Sequence, residues 1–128
     1  MGGKDIFAKT VYGEARGEPT KGQEWVAWVI KNRAHANRSY WGGSRIEDVC
    51  LKRGQFEVWN NGDFDVTEPS VYRKIKNMTD EIYDAPMCDD PTGGCDHYNN
   101  PDKEGYPSWT NNCNKVKKIG DHWFYRGK

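Results

Sequence analysis

The sequence predicts an α+β protein that is mostly α-helical, with a small β-hairpin lobe toward its C-terminal end. Three observations carry that expectation. Before residue 84, apolar residues recur at three- and four-residue steps, the period of one helix face. The stretch Trp25-Val26-Ala27-Trp28-Val29-Ile30 has no polar break, as a central helix requires. From Asp84 onward the composition turns to Asp, Pro, Gly, Asn and Cys, with short strand-like runs instead of helical periodicity. On this reading the 128 residues form one domain, helical over about 4–83 and hairpin plus loop over about 84–128.

In the first helix Ile6, Phe7, Thr10, Val11 and Glu14 share a face, so Glu14 points where the apolar residues point. A carboxylate carried inward at a helix end loses part of its water, which raises its pKa toward the state a general acid needs. The rival reading is a local pair with Arg16 or Arg33. Gly17 and Pro19 break the helix, leaving Glu18 exposed and available as a second acid. The turn Glu18–Gly22 leads to a helix from Gln23 to about Ala36, the hydrophobic spine, with Asn32 hydrogen-bonding inward near its end.

After a loop over Asn37–Gly43, Ser44-Arg45-Ile46-Glu47 has the form of a capping box, opening a helix that buries Ile46, Val49 and Cys50 and stops at Gly54. Gln55-Phe56 and Trp59-Asn60 then interleave amides with rings in a loop, as a carbohydrate cleft would want. A helix starting at Thr67 or Glu68, with Pro69 in its first turn, carries Val71, Ile75, Met78 and Ile82 as a packing stripe. Short strands follow at about Cys95–Asn99 and Ile119–Tyr125, joined by a loop bearing Tyr106-Pro107-Ser108-Trp109. Alternation sends His97 and His122 to one side of their strands each.

Composition narrows the function. Nineteen basic and nineteen acidic residues cancel, so no field favours nucleic acid or an anionic membrane. No apolar run approaches the ~18 residues of a membrane span, and the N-terminus lacks the apolar segment of a signal peptide. Six Trp, seven Tyr and four Phe suit flat ligand faces such as sugar rings as well as a core. Cys50, Cys88, Cys95 and Cys113 allow three disulfide pairings; Cys88 and Cys95, flanking a tight Pro/Gly loop, are the favoured pair in an oxidising compartment. A zinc site from Cys88, Cys95, His97 and Cys113 is the rival, though it lacks a CxxC knuckle, and no metal is expected.

These landmarks together resemble the SleB/CwlJ type of cell-wall hydrolase, the spore-cortex-lytic family also found in phages. The matching pieces are Val11-Tyr12-Gly13-Glu14-Ala15-Arg16-Gly17-Glu18, then Gly22 and the apolar helix ending Val29-Ile30-Lys31-Asn32-Arg33. Further on come Val49-Cys50, Gln55-Phe56, Trp59-Asn60, the Gly94–Pro101 block with His97-Tyr98-Asn99-Asn100, Pro107 with Trp109, and Ile119-Gly120-Asp121-His122 before Phe124-Tyr125. The departures are the set of four cysteines, the Asp89–Gly94 loop and Asp96.

The resemblance implies a fold of the lysozyme and lytic-transglycosylase kind, with Glu14 as the catalytic residue. It further implies a cleft lined by Gln55, Phe56, His97, Tyr98 and His122, to which the pattern of rings adds Trp59 and Trp109. The substrate would be the glycan strands of peptidoglycan, cut at the MurNAc to GlcNAc β-1,4 bond, by a lytic transglycosylase route needing one acid or by hydrolysis with a second. Neither route calls for a cofactor. A non-catalytic peptidoglycan-binding module is the alternative from a different class. The chain is expected to act as a monomer on the bacterial wall, either as a phage endolysin released through a membrane lesion or as part of an exported protein.

Overall fold

Helix α1 (Gly3–Ala15) and helix α2 (Thr20–Ala36) meet at a tight corner, and the computed structural model, which describes residues 1–128, builds the rest of the chain around them. Val26, Ala27, Val29 and Ile30 of α2 are fully buried and Trp25 and Trp28 nearly so, as the unbroken apolar run predicts. Helices α3 (Ile46–Leu51) and α4 (Pro69–Asp84) both pack on α1 and α2. α2 begins at Thr20 rather than Gln23, with Pro19 at its N-cap. Gln23 therefore falls inside the first turn, where its amide Nε2 reaches the carbonyls of Ala15 at 3.3 Å and Arg16 at 3.4 Å and satisfies the end of α1.

Two expected local devices are replaced. The Ser44/Glu47 capping box does not form: Arg45 is the N-cap of α3, and the Glu47 carboxylate accepts from the Tyr83 hydroxyl at 2.9 Å and from Arg45 Nη2 at 3.1 Å. The helix stops at Leu51, before Gly54, which instead sits in a turn at φ +77°. α4 holds its predicted stripe, with Ile75 and Ile82 buried, and its C-terminal carbonyls are gathered by Lys31. The Lys31 ammonium donates to the Ile82 carbonyl at 2.8 Å, to the Tyr83 carbonyl at 3.1 Å and to the Ala85 carbonyl.

The C-terminal lobe is a three-stranded antiparallel sheet in the order β1-β3-β2, made of β1 (His97–Asn99), β2 (Cys113–Ile119) and β3 (His122–Gly127). The expected strand over Ile119–Tyr125 is in fact the end of β2, a two-residue turn and most of β3, because Gly120 takes φ +57° and reverses the chain. β2 escapes a pattern reading: it is an edge strand, exposed along Asn114–Lys118, and its lysines read as a solvated run. Short helix α5 (Pro101–Glu104) follows β1, capped by the Asn100 side chain accepting from Asp102 N–H at 3.1 Å.

Cys95, Ile119 and Phe124 enter the same apolar cluster as the helices, so the sheet is fixed against the helical part. Asn32 donates inward to the Cys95 carbonyl at 2.8 Å, tying the end of α2 to the start of the lobe. All four cysteines are free, and the Cys88/Cys95 bridge is not made. Cys95 is buried against the Thr92 carbonyl while Cys88 stays exposed. No three His, Cys, Asp or Glu side chains gather as metal ligands, so the zinc alternative has no geometry to rest on. No helix is long and apolar enough to cross a membrane.

Candidate active site

A cleft of about 490 Å³ opens between the helical part and the sheet lobe, and three carboxylates line it. α1 contributes Glu14 and α2 contributes Arg33. The loop after α3 supplies Gln55, Phe56 and Glu57, and the β1–α5 segment supplies Tyr98, Asn100, Lys103 and Glu104. His122, the first residue of β3, completes the wall.

Glu14 sits half-buried one residue before the end of α1, and the Tyr98 hydroxyl donates to its Oε1. Burial raises the Glu14 pKa above the ordinary carboxylate value; the Tyr98 hydrogen bond pulls it back, and the charges of Glu57 and Glu104 push it up again. Arg33 opposes them weakly. The rival local pairing is not made: Arg16 turns to Glu68, with Nε 3.2 Å from Oε2, and Arg33 Nε donates to the Asp96 carbonyl at 2.8 Å. Burial, and then the neighbouring Glu14 charge, lift the Tyr98 phenol well above its usual value, so Tyr98 stays a donor.

Gln55 is held by its own amide, Nε2 donating to the Val49 carbonyl at 2.8 Å and the Trp41 carbonyl at 3.0 Å, which leaves its oxygen to serve the cleft. His122 packs edge-on to Tyr98 with centroids 5.1 Å apart. Its Nδ1 lies 3.4 Å from Glu18 Oε1 but makes no hydrogen bond there, and burial lowers its pKa, favouring the neutral ring over an ion pair.

Of the residues singled out in the sequence, Glu14, Gln55, Phe56, Tyr98 and His122 come together. Four others do not. Glu18 is not exposed: its side chain keeps 11% of its surface and Oε1 accepts from Asp121 N–H at 2.9 Å, locking the β2–β3 turn. Trp59 donates its indole N–H to Thr10 Oγ1 at 2.9 Å, meets Phe64 edge-on and borders a different cavity. His97 and Trp109 face away from the cleft, because strand alternation turns His97 to the opposite side from Tyr98. Pattern reasoning passed over Glu57, Asn100, Lys103 and Glu104; Glu57 and Asn100 stand within two residues of positions it had chosen, and Lys103 and Glu104 carry no such signal.

Comparison with known proteins gives the chain its relatives. The sequence model of the family described as Cell Wall Hydrolase matches residues 17–125, beginning just after Glu14. The spore cortex-lytic enzyme of Halalkalibacterium halodurans is 33% identical over 119 residues, 93% of this chain and 33% of that protein. That of Bacillus cereus is 34% identical over 119 residues, 93% of this chain and 42% of the relative. The chain thus spans well under half the length of these relatives. Among solved structures, the catalytic domain of the germination-specific lytic transglycosylase SleB from Bacillus anthracis superposes with a TM-score of 0.73 at 32% identity, covering 97% of this chain and 93% of that one. The catalytic domain of the Bacillus cereus SleB protein gives 0.71 at 34% identity, covering 96% and 90%.

Proposed function

The chain belongs to the cell wall hydrolase family, and from that membership we propose that it degrades peptidoglycan as a lytic transglycosylase, cutting the MurNAc to GlcNAc β-1,4 bond with Glu14 as acid and then base. Membership in a family of hydrolases sets aside the non-catalytic binding module. The reading is carried by one observation: a half-buried carboxyl, raised in pKa by burial, sits in an open cleft with a tyrosine hydroxyl on its oxygen.

Protonated Glu14 gives its proton to the bridging oxygen as the C1–O bond breaks and positive charge spreads over C1 and the ring oxygen. Glu14 is now a carboxylate, and the Tyr98 O–H and the Arg33 charge favour that form. It removes the proton from the MurNAc 6-hydroxyl, O6 closes on C1, and the 1,6-anhydro end leaves with Glu14 protonated again. The two opposing influences on Glu14, burial and hydrogen bonding, let one side chain serve both half-reactions.

A second reading has its own support. Glu57 and Glu104 line the same cleft, so a water activated by either would yield a hydrolysed MurNAc end, with one of them in the role the sequence had offered Glu18. Mass spectrometry of digested peptidoglycan separates the two, since the anhydro end is lighter by one water. Substitution tests the shared core of both: Glu14→Gln keeps the shape and loses the transferable proton, so lysis of purified sacculi is expected to fall by at least about 10³-fold. Lysis near the parent rate would overturn the assignment.

A further inference from the structure

Trp109, the ring that sequence reasoning offered to a sugar, borders a separate groove of about 470 Å³. His97 is set there between two indoles, its ring centroid 5.7 Å from Trp41 at 69° and 5.1 Å from Trp109 at 32°. Asp96 fixes the imidazole, its Oδ1 2.8 Å from Nδ1, and Tyr125 backs Trp109 edge-on at 5.2 Å. Tyr40 stands beside Trp41 with 65% of its surface exposed.

The indole N–H groups of Trp41 and Trp109 have no partner in the protein, unlike that of Trp59. Neither is a buried orphan, since the one buried side-chain polar atom without a partner is His122 Nδ1; both N–H groups therefore keep some contact with solvent. Flat rings whose edges offer donors match a pyranose, which gives its C–H face to an aromatic plane and its hydroxyl and acetamido oxygens to N–H groups. The groove is also joined to the acid cleft. Arg33 lines the cleft, donates to the Asp96 carbonyl at 2.8 Å and lies 5.2 Å over the Trp41 ring, while Gln55 holds the Trp41 carbonyl at 3.0 Å.

We propose that this groove is a second carbohydrate site, binding N-acetylhexosamine rings of the wall glycan away from the bond that is cut. The site rests on the peptidoglycan reading and adds a grip on the polymer that needs no chemistry at Glu14. The test uses the Glu14→Gln protein, which leaves substrate intact. On titration with a soluble hexamer of N-acetylglucosamine, the Trp41 and Trp109 indole signals in ¹H–¹⁵N spectra are expected to shift, each identified by its loss in the Trp41→Phe and Trp109→Phe proteins. Adding Tyr40→Ala, an exposed ring whose hydroxyl bonds nothing in the fold, is expected to weaken co-sedimentation with purified sacculi about three- to tenfold. Unmoved indole signals, or sedimentation equal to that of Glu14→Gln alone, would overturn the second site while leaving the peptidoglycan reading in place. No binding of Glu14→Gln protein to sacculi at all would overturn both.

Discussion

Glu14 shows how one carboxyl links stability to pH. Burial raises its folded pKa above the unfolded value, so the folded state keeps a proton that the unfolded state has released. Its contribution is fully present below the ordinary glutamate range and is lost as pH rises through the folded value. Glu14→Gln cannot ionise and escapes that loss. The variant is expected to melt above the parent at neutral pH, with the gap closing as pH falls into and below the ordinary glutamate range; paired thermal melts across that interval check it. Glu18, four residues on, serves the fold instead: its carboxylate accepts from the Asp121 N–H and blocks any side chain at position 120. Spacing along a helix placed Glu14 correctly, since periodicity reports the face a residue shares. It misplaced Glu18, since nothing local reports that a hairpin turn from a hundred residues away folds onto that side chain.

At the scale of elements, the glycine inside the α1 motif sets how closely two walls of the cleft approach. A Cβ on Gly13 would lie 2.3 Å from Val58 Cγ1 and 2.9 Å from Val58 Cβ, in the short turn that also carries Glu57. Replacing a mid-helix glycine by alanine ordinarily gains about 1 kcal/mol of propensity. Here the obstacle includes a Cβ fixed to the backbone, and overpacking of that kind costs about 1–3 kcal/mol. Gly13→Ala is therefore expected to destabilise by up to about 2 kcal/mol net, read as a lower urea midpoint, and to slow sacculus lysis by displacing the Gln55–Glu57 wall. An unchanged or higher midpoint would show that the turn yields freely. Elements with strong periodicity, α1, α2 and α4, were legible in the sequence. β2 and the start of α3 were not, because β2 buries almost nothing and Glu47 serves Tyr83 on α4 rather than its own helix end.

Across the whole molecule, the four cysteines act as separate small groups and not as staples. Cys50 lies in the helical core and Cys95 beneath the lobe, their thiols pushed by burial up to about 12 and about 11, while Cys88 and Cys113 retain exposure. Melting curves with and without reductant are expected to superimpose. A drop of several degrees under reductant would reveal a bridge, whose loss typically costs about 2–4 kcal/mol. The helical body, the hydrophobic spine, the inward acid and the ring-rich loops were determined by the sequence itself, because each is a matter of period, composition or a motif within a few residues. Only the tertiary structure decided that Tyr98 rather than His97 meets Glu14, that Glu57 and Glu104 share its cleft, and that Trp109 belongs to a different groove. Those outcomes depend on strand register and on which face of a short edge strand turns inward, where a shift of one residue exchanges every neighbour.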